Sequence, residues 1–110
     1  MSRRVSTGYR VVPSVTFQED IERLEEHIVQ RELASNKPDE TCLFRFREAV
    51  VRAMAILSFS PHTCRRSDEH GEFRELIIPF GHGGCVALFV LREFDVVLLA
   101  VRDQHERDYR

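Results

Sequence analysis

The side chains of this chain that could do acid, base or phosphate chemistry are few, and most fall in its second half. Arg74 stands near the start of an apolar, β-prone run bordering a long polar segment, where it projects a planar, permanently charged fork. A surface ion pair with Glu72 is the plainer use of the same group. His105 and Tyr109 lie just past the last apolar run, near Arg102 and Arg107. Histidine, tyrosine and arginine together can supply an acid, a base and a phosphate grip, although a polar tail beyond a strand has the same composition. His62, Cys64, His70, His82 and Cys85 are metal-compatible types, but they form neither a Cys-x-x-Cys nor a His-x3-His pair. They read as unrelated histidines and a strand cysteine, and no metal or cofactor is expected. Gly81-His82-Gly83-Gly84 could cradle a phosphate only if a helix followed, and a strand follows instead, so it reads as a hairpin turn. Arg65-Arg66 is followed by Asp68, Glu69 and Glu72, a solvated charge cluster.

The elements that must position these residues can be read in order. Tyr9-Arg10-Val11-Val12 is short and β-prone, ends at Pro13, and predicts a first strand. Ser14 can cap a helix at once, with Thr16 and Glu19 as an alternative capping box. Phe17, Ile21, Leu24 and Ile28 recur at helical spacing, with Glu19, Glu22, Glu25 and Glu26 on the other faces. This helix should end near Asn36-Lys37-Pro38. A second helix, with Asp39 or Thr41 as cap, carries Leu43, Phe46, Val50, Ala53 and Leu57 on one stripe and stops at Pro61. The short link makes the pair an antiparallel helical hairpin. Residues 61–72 read as an exposed loop. Phe73 to Phe80, Cys85 to Leu91 and Phe94 to Val101 are three β-rich runs with short connections, hence an antiparallel meander. Val96 to Val101 is apolar at both parities, which predicts a strand covered on both faces. Hydrophobicity leaves the partner of the first strand open and favours Phe94 to Val101 as its neighbour.

These elements fit one α+β domain spanning residues 1–110, with residues 1–8 expected to be flexible. The 110 residues are 43% hydrophobic and 31% charged, an ordinary single-domain balance. Sixteen basic residues face eighteen acidic ones for a net charge of -2, which argues against coating nucleic acid through phosphate contacts. All the basic residues but Lys37 are arginines. Cys42, Cys64 and Cys85 are odd in number and widely spaced, so a reducing, cytoplasmic setting is expected. No apolar run reaches signal-peptide or membrane-spanning length, and no membrane association is expected.

From Tyr9 to its end the chain resembles RelE/ParE-superfamily toxins of bacterial type II toxin-antitoxin systems. The residues that carry this are Tyr9-Arg10-Val11-Val12-Pro13-Ser14 with Phe17, Asp20-Ile21, Leu24 and Ile28, then Phe46, Ala53, Leu57 and Pro61. Its most specific part is Phe73-Arg74-Glu75-Leu76-Ile77-Ile78-Pro79-Phe80-Gly81, Gly84-Cys85-Val86-Ala87-Leu88-Phe89 and Val96 to Arg102. The resemblance implies a helical hairpin on one face of a mainly antiparallel sheet, ordered strand-helix-helix-strand-strand-strand. It also implies a cognate antitoxin, forming a hetero-oligomer with the toxin, and a growth-arresting activity. RelE-like members cut messenger RNA on the ribosome, while ParE-like members poison DNA gyrase without being enzymes. RelE-like catalysis draws on a basic surface with lysine and arginine at the phosphate. Here no lysine falls on the strands, and Asp103 stands where relatives commonly place histidine or arginine. The resemblance therefore points to a ParE-like gyrase inhibitor neutralised by a ParD-like antitoxin, with no sequence-specific nucleic-acid binding and no catalytic residue. Arg74, Phe44 and Met54 are the expected partner contacts. The alternative is a ribosome-dependent endoribonuclease using Arg74, His105 and Tyr109.

Overall fold

The computed structural model describes residues 8–67, 72–81, 83–106, 108 and 109. Of the stretch expected to be flexible, only Gly8 is among them. The elements run β1 (Arg10–Pro13), α1 (Val15–Leu33), α2 (Cys42–Phe59), a 3-10 turn (Pro61–Thr63), β2 (Arg65–Arg66), β3 (Phe73–Phe80), β4 (Gly83–Arg92) and β5 (Asp95–Asp103). They form one five-stranded sheet in the order β1-β5-β4-β3-β2. β1 lies parallel to β5, as its expected neighbour, and every other pairing is antiparallel.

Both helices cover the same sheet face. Phe17, Leu24 and Ile28 of α1 and Phe46, Ala53 and Leu57 of α2 are buried in one cluster with Ile78, Phe89, Val96 and Leu98. Helical periodicity on one side and alternation on the other meet in this layer. α1 stops at Leu33, three residues before the expected Asn36. The link to α2 is then held by side chains: Glu32 accepts the Asp39 amide at 2.8 Å, and Asp39 accepts the amide and hydroxyl of Thr41 while pairing with Arg45. Residues 61–72 are not simply an exposed loop. Pro61 and Cys64 are buried, and Arg65–Arg66 adds a short edge strand to β3.

The strand buried from both sides is β4, at the sheet centre, where Val86, Ala87, Phe89 and Val90 are all buried. In β5, Val97 and Leu99 remain half-buried, so the expectation of full cover there fails. Its apolar character at both parities has another cause. The β4–β5 register passes from Leu88↔Ala100 to Phe89↔Leu98 and skips Leu99, a β-bulge. The extra residue lets Val96, Leu98 and Val101 all face the helices. α1 satisfies the bulge's backbone: the Ser14 hydroxyl donates to the Leu99 carbonyl at 3.1 Å, and Asp20 accepts the Val101 amide at 3.0 Å. Ser14 also accepts the Phe17 amide at 3.0 Å, so it caps α1 as well.

Candidate functional site

Alternation along β3 sends Arg74, Leu76 and Ile78 toward the helices and Glu75 to the opposite face, which no helix covers. Glu75 is the centre of a polar cluster there. Arg65 pairs with it at 3.0 Å, the Tyr109 hydroxyl donates to it at 2.8 Å, and Arg102 stands 3.9 Å away. The Arg102 guanidinium also lies 5.1 Å from the centre of the Tyr109 ring, a cation–π distance. The side chains of Glu75 and Arg102 are only 12% and 13% exposed. Burial pushes the Tyr109 phenol well above its ordinary value, the hydrogen bond and charge of Glu75 add to this, and Arg102 opposes it. Tyr109 is therefore a proton donor throughout the neutral range. A carboxylate, two guanidinium groups and a protonated phenol thus share one patch of the open face.

The three residues expected to act together do not meet. Arg74 donates to the carbonyls of Cys64 at 2.9 Å and His62 at 3.3 Å, and so fastens the 3-10 turn to β3. It does not pair with Glu72, which is bonded instead by Arg92. Arg74 lies six residues along β3 from Phe80, about 20 Å from that end of the sheet. His105 is at that end: its amide donates to Asp103, and a Cβ at Gly83 would lie 3.3 Å from its Nε2. Of the three, only Tyr109 reaches the open-face cluster. Arg65, Glu75 and Arg102 were missed as partners. The signal in the sequence was the alternation of β3, which puts Arg74 and Glu75 on opposite faces.

A cleft of about 520 Å³ opens between the helical hairpin and the β3–β4 turn. Ile28, Cys42, Phe46, Phe80 and Cys85 form part of its wall, with His27, Arg31, Arg45, Asp103 and His105 among its polar lining. Burial raises the Cys85 thiol to about 11, with Asp103 and Glu106 adding to the shift and Arg23 opposing it. Burial likewise raises the Cys64 thiol, against the opposing charge of Arg74. Neither is a ready thiolate. Among the described residues no three His, Cys, Asp or Glu side chains are grouped to hold a metal; His70 and His82 lie outside them. His62 accepts from or donates to the Tyr9 hydroxyl at 2.6 Å. Of the expected partner anchors on α2, Phe44 is exposed, whereas Met54 packs partly into the core.

This order of elements, with a helical hairpin on one face of a mainly antiparallel sheet, defines an α+β fold. It is shared with a chain of the chromosomal ParDE TA system from P. aeruginosa, which is 16% identical with a TM-score of 0.66, the match covering 92% of this chain and 100% of that one. The solution structure of the conserved hypothetical protein HP0894 from Helicobacter pylori is similar at 15% identity and a TM-score of 0.55, over 89% of this chain and 97% of that one. No protein-family model and no curated protein matches the sequence. At these identities the likeness is one of fold. No helix among the described residues is long and apolar enough to cross a membrane.

Proposed function

We propose that this chain is the toxin of a type II toxin-antitoxin pair, that it acts by binding DNA gyrase, and that a ParD-like antitoxin neutralises it. The toxin reading is supported by the fold it shares with the ParDE chain over the length of both. The observation that carries binding over cutting is the dispersal of Arg74, His105 and Tyr109 over two faces and two ends of the sheet. Nη1 of Arg74 donates to two backbone carbonyls, which supports a structural role for this arginine in fastening the 3-10 turn to β3. The antitoxin has two kinds of docking place: the apolar-walled cleft beside the helical hairpin, and the sheet edges at β1 and β2. With purified gyrase and supercoiled plasmid, the chain should block supercoiling and accumulate cleaved DNA, and the antitoxin should reverse both.

One observation favours the endoribonuclease as a second reading, namely the cluster around Glu75. There the carboxylate would take the proton of an attacking 2′-hydroxyl, Arg65 and Arg102 would face the phosphorane charge, and Tyr109 would protonate the leaving 5′-oxygen. Transcript cuts in a translating extract, lost in Glu75→Gln, together with no effect on gyrase, would replace the gyrase reading with this one.

A further inference from the structure

We propose that the outward face of α2 is a self-association surface, on which a second copy of this chain lays its own α2 antiparallel. The helix carries two apolar stripes. One is the core stripe of Phe46, Ala49, Ala53 and Leu57. The other runs through Phe44, Val51, Ala55 and Phe59, with Glu48 and Arg52 set among them, and all six are exposed. Phe44, Val51 and Phe59 are 63%, 66% and 71% exposed. Stepping through 44, 48, 51, 55 and 59 gives spacings of four, three, four and four, the pattern of a helix seam. At 1.5 Å per residue this seam is about 22 Å long. An isolated fold has no use for large side chains repeated at that spacing on its water side.

The charges on this face identify the occupant. Arg47 is paired with Glu25 and Arg45 with Asp39, which leaves Glu48 and Arg52 as the charges of the seam without an ion pair among the described residues. They are one turn apart, opposite in sign, and not joined to each other. An acidic helix would gain from Arg52 and be repelled by Glu48, and a basic helix would meet the reverse. An inverted copy satisfies both at once: crossing near Val51, it brings Glu48 within side-chain reach of Arg52 of the second copy, twice by symmetry. The same crossing sets Phe44 toward the Phe59 end of the other helix. A single helix seam lies near the roughly 1,000 Å² at which specific interfaces begin, so association in the micromolar range is expected.

Sedimentation equilibrium on the full chain tests this, because a dimer has twice the 12.9 kDa of one chain. The wild type should reach that doubled mass, and Val51→Glu should remain at the single mass with an unchanged circular dichroism spectrum. Glu48→Arg and Arg52→Glu should each weaken dimerisation by roughly tenfold, since two repulsive contacts replace two attractive ones. The double exchange E48R/R52E should restore it. A wild type that stays at 12.9 kDa at high micromolar concentration overturns the proposal, as does a dimer that survives Val51→Glu or is not rescued by the double exchange. An antitoxin peptide that loses its binding through Val51→Glu, with the toxin alone monomeric, would give the seam to the antitoxin.

Discussion

Glu75 accepts from Tyr109 and Arg65 and faces Arg102, so one half-hidden carboxylate ties the chain's last described residue and the edge strand β2 to the sheet. The pairing has a pH signature. The Tyr109 phenol is raised by burial and by Glu75 above the ordinary value of about 10. Below that pH it is protonated in the folded and the unfolded chain, and its contribution to stability is fully present. As the pH rises beyond 10, the unfolded chain ionises first, so stability falls until the folded phenol also titrates. Urea denaturation from pH 8 upward should show this loss in the wild type and a smaller one in Tyr109→Phe. At neutral pH Tyr109→Phe should cost about 1 kcal/mol for the lost hydrogen bond. Absorbance titration is readable because the chain has two tyrosines and no tryptophan. In it, Glu75→Gln should bring the Tyr109 transition to lower pH.

At the level of elements, the bulge in β5 and the start of α1 form one unit. Asp20 is 6% exposed and offers the Val101 amide its acceptor at 3.0 Å. Asp20→Ala should therefore cost about 2 kcal/mol or more, because a buried amide loses a charged acceptor, whereas Asp20→Asn retains an acceptor oxygen and should cost less. Chemical denaturation of the two variants measures the difference. Gly84 presents a second backbone constraint, since a Cβ there would sit 2.4 Å from the Ile78 carbonyl oxygen. Gly84→Ala should force β3 and β4 apart and lower stability by about 2 kcal/mol or more in the same assay. The helical hairpin and the meander were legible because each rests on repeated apolar residues whose period shows in a few turns or strand steps, whereas the pairing of β1 could be favoured but not fixed by its apolar residues. The bulge was not legible, because a skipped residue leaves no mark in an unbroken apolar run from Val96 to Val101. The role of Asp20 does not show in its residue type, which belongs to the surface, but Phe17, Asp20, Leu24 and Ile28 are three, four and four apart, which is the spacing of a buried stripe. The site suffered for a related reason: Arg74 and Glu75 are adjacent in sequence, and only the pleat of β3 decides which of them reaches Tyr109.

On the scale of the whole molecule, charge weighs on the choice of target. The net charge is -2, and four cations along the open face and edges are coupled to carboxylates: Arg65 and Arg102 to Glu75, Arg92 to Glu72, and Arg10 to Asp95, while Arg66 on the edge strand β2 has no such pair among the described residues. A polyanion approaching this surface meets mostly guanidinium groups already neutralised, so only weak counterion release is available to drive binding. Labelled single-stranded RNA should accordingly stay unbound by the wild-type chain near physiological salt in an anisotropy titration. Glu75→Gln removes the carboxylate that Arg65 and Arg102 share. That variant should bind the RNA more tightly, and its affinity should fall more steeply with salt, by roughly one to one and a half in log–log slope for two newly contacted phosphates. Tight binding by the wild type with a steep salt dependence would mean that the arginines are free to grip phosphate despite their pairing. It would move the weight of the functional reading from gyrase to RNA.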